Sequence, residues 1–278
     1  MPLNNACRRV AVAGLCVLLA GAPIAASAQT LTEFPGRSLY DRFGVQAIDL
    51  FDLRGQLSRF TVIDVRPRFE YDILHIEGAH HVELHAPDFL DQVRDLEREH
   101  GGPLVFYCNG RESYLAYRAV AQVNEEDDIG PAQAFDAGVL DWAERYSNFA
   151  VLRGVPVNED PGALISGEAF EARLLDAQAF ADRVRQDPDA MVLDIRSPAE
   201  RDEISLFTGR EQTVPLTDME RLDAALSAAH DAGQALLIFD QHGQQVRWLQ
   251  YHLEERGIED YHFLDGGLQG FYDEVMAH

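Results

Sequence analysis

"FTVIDVRPRFEY", residues 60–71, returns 130 residues later as "AMVLDIRSPAER", residues 190–201. Asp64, Arg66 and Glu70 of the first copy fall on Asp194, Arg196 and Glu200 of the second. The correspondence continues in order along the chain. "HVEL" (81–84) answers "TVPL" (213–216), "LVFYC" (104–108) answers "LLIFD" (236–240), and "FDAGVLDW" (135–142) answers "FLDGGLQGF" (263–271). The offset drifts by only a few residues across the four blocks. An ordered series with so little drift marks a duplicated unit of roughly 110 residues.

Each unit alternates short apolar runs with helical patterns. "FTVID", "AMVLD", "LVFYC" and "ALLIFD" read as buried strands. After Cys108, the residues Leu115, Ala116, Ala119, Val120 and Val123 recur at helical spacing; Val246, Leu249 and Leu253 do the same after Asp240. Repeated strand–loop–helix units favour a parallel sheet covered on both faces. The expected fold class is therefore α/β, with two tandem domains, each a mainly parallel sheet with helices on both faces. We expect the first domain at 38–150 and the second at 168–278. "RGVPVNEDPGALISG" (153–167), rich in proline and glycine, is the expected linker. "NEEDDIGPAQ" (124–133) reads as an exposed acidic loop.

Residues 1–28 read as a secretory signal. Arg8 and Arg9 precede a short apolar run, and "ASA" ending at Ala28 fits a small-residue cleavage site. The apolar run is too short for a stable membrane anchor. The expected location is periplasmic or secreted. Two of the three cysteines, Cys7 and Cys16, lie in that segment, so Cys108 becomes the sole thiol after cleavage. An unpaired cysteine in an exported chain points to a reactive thiol or an intermolecular bond. The alternative is a small buried hydrophobe.

Position favours reactivity. Cys108 ends a strand, and in open α/β sheets ligands bind at the carboxyl edge of the strands. "NGRES" forms the turn into the next helix. Its backbone N–H groups and the helix N-terminus should converge on the thiol, favour anions and lower the thiol's pKa. Gly110 lets the turn close, Ser113 is a candidate helix cap, and Arg111 adds a positive charge. Asn109 completes this anion-holding loop, while Glu112 opposes it unless it points away.

Strand-"DVR", "EY", "HIEGA", strand-"YCNG"-helix and a late "DAGVLDW", in that order, resemble a rhodanese domain, the sulfurtransferase fold. The resemblance covers nearly the whole chain after residue 28 as two tandem copies. The second copy matches at "DIR" and "LDGGLQGF", lacks the "HIEGA" block, and carries Asp240 in place of Cys108. The resemblance implies catalysis by Cys108, with Asn109, Gly110, Arg111, Glu112 and Ser113 as the substrate-binding loop, and an inactive second domain. It implies sulfane-sulfur transfer from a small anionic donor such as thiosulfate, through a Cys108 persulfide, to a thiol or protein-cysteine acceptor. It requires no metal and no organic cofactor. It makes Asp64 and Arg66 a structural ion pair, with Glu70 beside them.

Other readings are weaker. A phosphatase would need an arginine six residues after the cysteine, and Tyr114 stands there. His75, His80, His81 and His85 cluster in "HIEGAHHVELH", but His80 and His81 point to opposite sides of an extended segment, and no metal is expected. A non-enzymatic binding or thiol-sensing module is the principal alternative. The formal charge is −24, and every one of the 23 basic residues is arginine. Such an acidic surface argues against nucleic acid as a partner.

Overall fold

A computed structural model describes residues 34–198, 200–201 and 205–276. The expected signal segment, 1–28, lies outside the described residues. In chain order, the first half comprises α1 (Pro35–Tyr40), β1 (Gln46–Ala47), α2 (Leu50–Gly55), β2 (Thr61–Asp64), α3 (Arg68–Ile73), β3 (Leu74–Ile76), β4 (His80–His81), α4 (Phe89–His100), β5 (Leu104–Tyr107), α5 (Leu115–Val123), β6 (Ala132–Phe135) and α6 (Gly138–Arg145). A hairpin of β7 (Ala150–Leu152) and β8 (Val155–Pro156) follows. The second half comprises α7 (Gly167–Glu171), β9 (Leu174–Leu175), α8 (Ala177–Gln186), β10 (Met191–Asp194), β11 (Glu211–Thr213), α9 (Met219–Ala232), β12 (Leu236–Phe239), α10 (Gln245–Glu255), β13 (Tyr261–Leu264) and α11 (Gly267–Met276).

The two large sheets have one topology. The first runs β1-β6-β5-β2-β4 and the second, read from its other edge, β9-β13-β12-β10-β11. Every neighbouring pair in both is parallel. The central strands are buried along their whole length, as β2 (TVID) and β5 (LVFY) show. That burial explains why they read as continuous apolar runs rather than alternating ones.

Alternate residues of these strands feed opposite faces. Ile63, Phe106 and Ala134 pack with Val93 of α4 and Val120 of α5. Val62, Val105 and Phe135 pack on the other side with Leu53 of α2, Ile73 of α3 and Trp142 of α6. The second cluster does not stop at the first sheet. It continues through Leu193, Ile238, Phe263, Trp248 and Leu249, so one apolar core joins the two halves. Burial of this kind contributes roughly 25 cal/mol per Å² of apolar surface.

A three-stranded antiparallel sheet, β3-β7-β8, was not legible in the sequence. Its strands have two or three residues each, too few to show alternation. The 153–167 segment holds β8 and two short 3-10 turns. Among the described residues, no helix is long and apolar enough to cross a membrane.

Candidate active site

Cys108 is the first residue after β5, and its side chain is fully buried. Two bonds from the next βα junction fix the loop: Val139 N–H donates to the Cys108 carbonyl at 3.0 Å, and Leu140 N–H to that of Asn109 at 3.4 Å. The approach requires glycine. Gly138 has φ +68°, and a Cβ there would lie 2.5 Å from the Gly110 backbone. Ser113 N–H closes a turn on the Gly110 carbonyl at 3.0 Å.

The loop aims donors at the sulfur. The Ser113 side chain and the backbone N–H groups of Ala116 and Gly110 favour a charged sulfur there, as does the charge of Arg66. As a thiol, Cys108 donates to the Ser113 carbonyl at 3.6 Å. The expected fall in thiol pKa does not occur. Burial pushes the Cys108 thiol up, outweighing those donors. Sequence spacing places the amides correctly and says nothing of how completely water is excluded.

Ser113 does not cap the helix. Tyr114 holds the N-cap position of α5, and no side chain caps it. Because the turn closes on Gly110, Ser113 is carried inward, where it is buried beside the sulfur. Arg111 turns away to Asp141, with Nε and Nη2 donating to Oδ2 at 2.8 and 2.6 Å. Its guanidinium also lies 5.1 Å from the Phe34 ring centroid. Its charge is thus offset by a carboxylate. Glu112 is exposed. Asn109 is half-buried and accepts from Arg66 Nη1 at 3.1 Å through Oδ1.

Arg66 anchors the wall beneath the loop. Its Nη2 meets Asp64 Oδ2 at 2.6 Å, and its backbone N–H meets Asp64 Oδ1 at 3.0 Å. Arg196 and Asp194 repeat the pair in the second half, at 2.8 Å. The structural role expected of Asp64 and Arg66 is therefore met. Glu70 lies 3.9 Å from Arg66, with a buried Oε2 that has no hydrogen-bond partner. Burial pushes its carboxyl up to about 8, against the opposing pull of Arg66 and an Asn109 hydrogen bond. His75 and His81 are held by backbone carbonyls, of Tyr71 and Arg66, both at 2.8 Å.

The two halves bring their equivalent loops together. A cleft of about 520 Å³ is walled on one side by Glu70, Asn109 and Ser113 and on the other by Asp240, Gln241 and Gln244. A second cleft, of about 320 Å³, lies between Asn109–Ser113 and the residues Gly243, Arg247 and Trp248. Cys108 lies behind the loop rather than on either wall.

In the second half a carboxylate fills the cradle. Asp240 accepts from the backbone N–H groups of Gly243, of Gln245 at 2.6 Å and of Val246 at 3.2 Å. Leu268 N–H donates to the Asp240 carbonyl at 2.9 Å, as Val139 does to Cys108. The second loop holds the Asp240 carboxyl where the first holds the Cys108 thiol, and burial pushes that carboxyl's pKa up. Sequence reasoning found Asp240 through the repeat. It did not find Arg247 or Trp248, whose relevance comes from packing between the halves.

Residues 40–145 match the family model of the rhodanese-like domain. A curated HTH-type transcriptional regulator of Mycobacterium tuberculosis is 30% identical over 105 residues, 37% of this chain and 42% of its own length. The match thus spans less than half of that relative. Among solved structures, a thiosulfate sulfurtransferase of Pseudomonas aeruginosa is 20% identical with a TM-score of 0.40, over 83% of this chain and 43% of its own. A rhodanese-related protein of Thermoplasma volcanium is 17% identical with a TM-score of 0.29, over 37% of this chain and 92% of its own. The strand-end cysteine, its amide-lined loop and the family match coincide in one stretch: this chain carries a rhodanese-like domain, at residues 40–145.

Proposed function

We propose that the protein is an exported sulfurtransferase in which Cys108 carries a sulfane sulfur between a small anionic donor and a thiophilic acceptor. The observation that carries the reading is the placement of Cys108 at the end of β5, with its sulfur 3.6 Å from the Ser113 carbonyl behind the Asn109–Ser113 loop, inside the rhodanese-like domain. In the first step the Cys108 thiolate attacks the outer sulfur of the donor. A carbon–sulfur or sulfur–sulfur bond of the donor breaks, the remainder leaves with the bonding pair, and Cys108 becomes a persulfide anion. With thiosulfate the leaving group is sulfite. In the second step an acceptor thiolate attacks the outer sulfur, taking it as a new persulfide and returning the Cys108 thiolate.

The loop donors stabilise negative charge on sulfur in both the thiolate and the persulfide. The second half is a copy of the same unit that has exchanged its nucleophile for Asp240. Release as a periplasmic or secreted protein rests on the reading of residues 1–28.

The test is mass spectrometry of intact protein after incubation with thiosulfate, mercaptopyruvate or polysulfide. Wild type should gain about 32 Da per sulfur on Cys108, and Cys108→Ser should gain nothing. Failure with all donors would sink the enzyme reading. A second reading draws on the burial of Cys108 and its raised pKa: a binding or thiol-sensing module. A gain of oxygens alone would favour that module.

A further inference from the structure

The rim of the larger cleft carries an apolar patch that the proposed chemistry has not used. Tyr114, the residue after the Cys108 loop, lines that cleft together with Arg118, one helical turn later. The Tyr40 ring, at the end of α1, lies 6.1 Å from that of Tyr114 and 5.9 Å from that of Phe43, centroid to centroid. Leu39 is 53% exposed, Phe43 52% and Tyr114 37%. Single apolar side chains on a surface are ordinary, but a contiguous group marks a contact surface.

The patch is held from below. Tyr40 stacks on the buried Tyr117 ring at 5.2 Å and 17°. The Tyr117 hydroxyl donates to Asp136 Oδ2 at 2.5 Å, and Arg37 of α1 donates to the same oxygen at 2.6 Å. A helix of six residues is marginal by itself. This buried clamp fixes α1, so Leu39 and Tyr40 are presented in one arrangement. A preordered surface loses less entropy on binding.

Charge indicates what the patch fits. Acidic residues outnumber basic ones 47 to 23. Even so, among the described residues no carboxylate stands in salt-bridge contact with Arg42 or Arg118. Arg42 lies over Phe43 instead, 4.7 Å from the ring centroid. Aromatic rings and arginines are the side chains that protein interfaces favour. A two-fold pair of copies would set these arginines against themselves. Unpaired arginines call for carboxylates on the partner. Glu112, on the same rim, confines those carboxylates to the side of Arg42 and Arg118.

We propose that Leu39, Phe43 and Tyr114, flanked by Arg42 and Arg118, form the docking surface for a partner protein that presents its sulfur-accepting cysteine on a segment carrying apolar side chains and carboxylates. The surface rests on the sulfurtransferase reading for its purpose but not for its existence. It places a protein cysteine ahead of small thiols as the acceptor.

Binding is tested without sulfur chemistry. The probe is a fluorescein-labelled peptide in which leucine and phenylalanine flank a serine, standing for the acceptor cysteine, with two aspartates at each end. It is titrated by anisotropy into full-length Cys108→Ser protein. The peptide should bind, and a version with lysines for the aspartates should bind at least about tenfold more weakly. Phe43→Ser, and the double variant Arg42→Gln with Arg118→Gln, should each weaken binding by about fivefold or more. Circular dichroism checks folding, and Leu39→Ser serves if Phe43→Ser is not folded. Phe51→Ser removes an exposed aromatic ring of α2, on the opposite face of the first sheet, and should change nothing. Equal binding by parent and rim variants, or no binding of the aspartate peptide, overturns the docking surface. So does a dimer in sedimentation velocity that Phe43→Ser dissociates, because a second copy then covers the patch. The probe protein cannot form a persulfide, so these outcomes are separate from failure of wild type to take up sulfur, which concerns the proposed activity alone.

Discussion

The guanidinium of Arg66 lies 4.8 Å from the ring centroid of Trp248, so a charged group of the first half is stacked on an aromatic ring of the second. Both side chains are fully buried. The contact ties the wall beneath the Cys108 loop to α10. Trp248→Phe keeps most of the packing and should cost about 1–2 kcal/mol; Trp248→Ala removes the stack and leaves a cavity, and should cost about 3–5 kcal/mol. Urea unfolding followed by circular dichroism measures both. A change below about 0.5 kcal/mol for Trp248→Ala would show that the halves do not depend on this contact.

Glu70 gives stability a pH dependence of unusual sign. Its carboxyl rises from 4.5 to about 8 on folding, because burial disfavours the charged form. Between those values the native state holds a proton that the unfolded chain has released. Its contribution is fully present below pH 4.5 and is lost as pH rises through about 8. Glu70→Gln removes this slope. The variant should match wild type near pH 5 and exceed it near pH 9 by about 1–4 kcal/mol. Denaturant midpoints at the two pH values decide it, and parallel curves for the two proteins would refute the assignment.

Gly138 and Gly267 test the loops separately. An added Cβ at Gly138 meets the Gly110 backbone at 2.5 Å; at Gly267 it meets the Asp240 carboxylate at 2.6 Å. Both glycines have positive φ, +68° and +62°. Alanine at either position should cost about 1–3 kcal/mol. Only Gly138→Ala moves the Cys108 loop, so only it should slow sulfur uptake on Cys108. Equal loss of uptake in both variants would mean that the second loop shapes the site directly.

Asp240→Ala empties the second cradle and leaves three backbone N–H groups without their acceptor. The expected loss is about 2–4 kcal/mol. Added acetate should restore part of it, by binding the native state alone, and should leave wild type unmoved. Thermal melts across an acetate series, with ionic strength held constant, give the answer.

The repeat made most of the architecture legible. "FTVID" and "AMVLD" became β2 and β10, and "LVFYC" and "LLIFD" became β5 and β12, paired as their order implies. Central buried strands announce themselves because apolar residues run on without alternation up to the acidic residue that ends β2 and β10. The edge strands β1 and β9, two residues each, carry no such signal. At the site, Cys108 was found by position. Ser113 was misread because one residue of turn geometry decides whether its hydroxyl caps a helix or faces a sulfur. The thiol's raised pKa depends on packing density, and Arg247 and Trp248 on how the two halves meet. Neither property is written in local spacing.

The β7–β8 hairpin separates two units that the sequence makes look identical. Counted by repeats, the first copy ends near residue 150. Yet β7 pairs with β3, turns at Arg153 (φ +50°) and Gly154, and returns as β8. Arg153 then donates to the Tyr251 carbonyl at 2.6 Å, and Tyr251 accepts from Ile165 N–H at 3.1 Å. The stretch between the copies is therefore stitched into both. What was duplicated in evolution is a unit of about 110 residues; what folds is the pair. A fragment cut at the repeat boundary would expose the shared apolar face and lose the β7 partner of β3, so expression of the first copy alone calls for an end beyond Pro156 and a new covering for α3 where it meets α10.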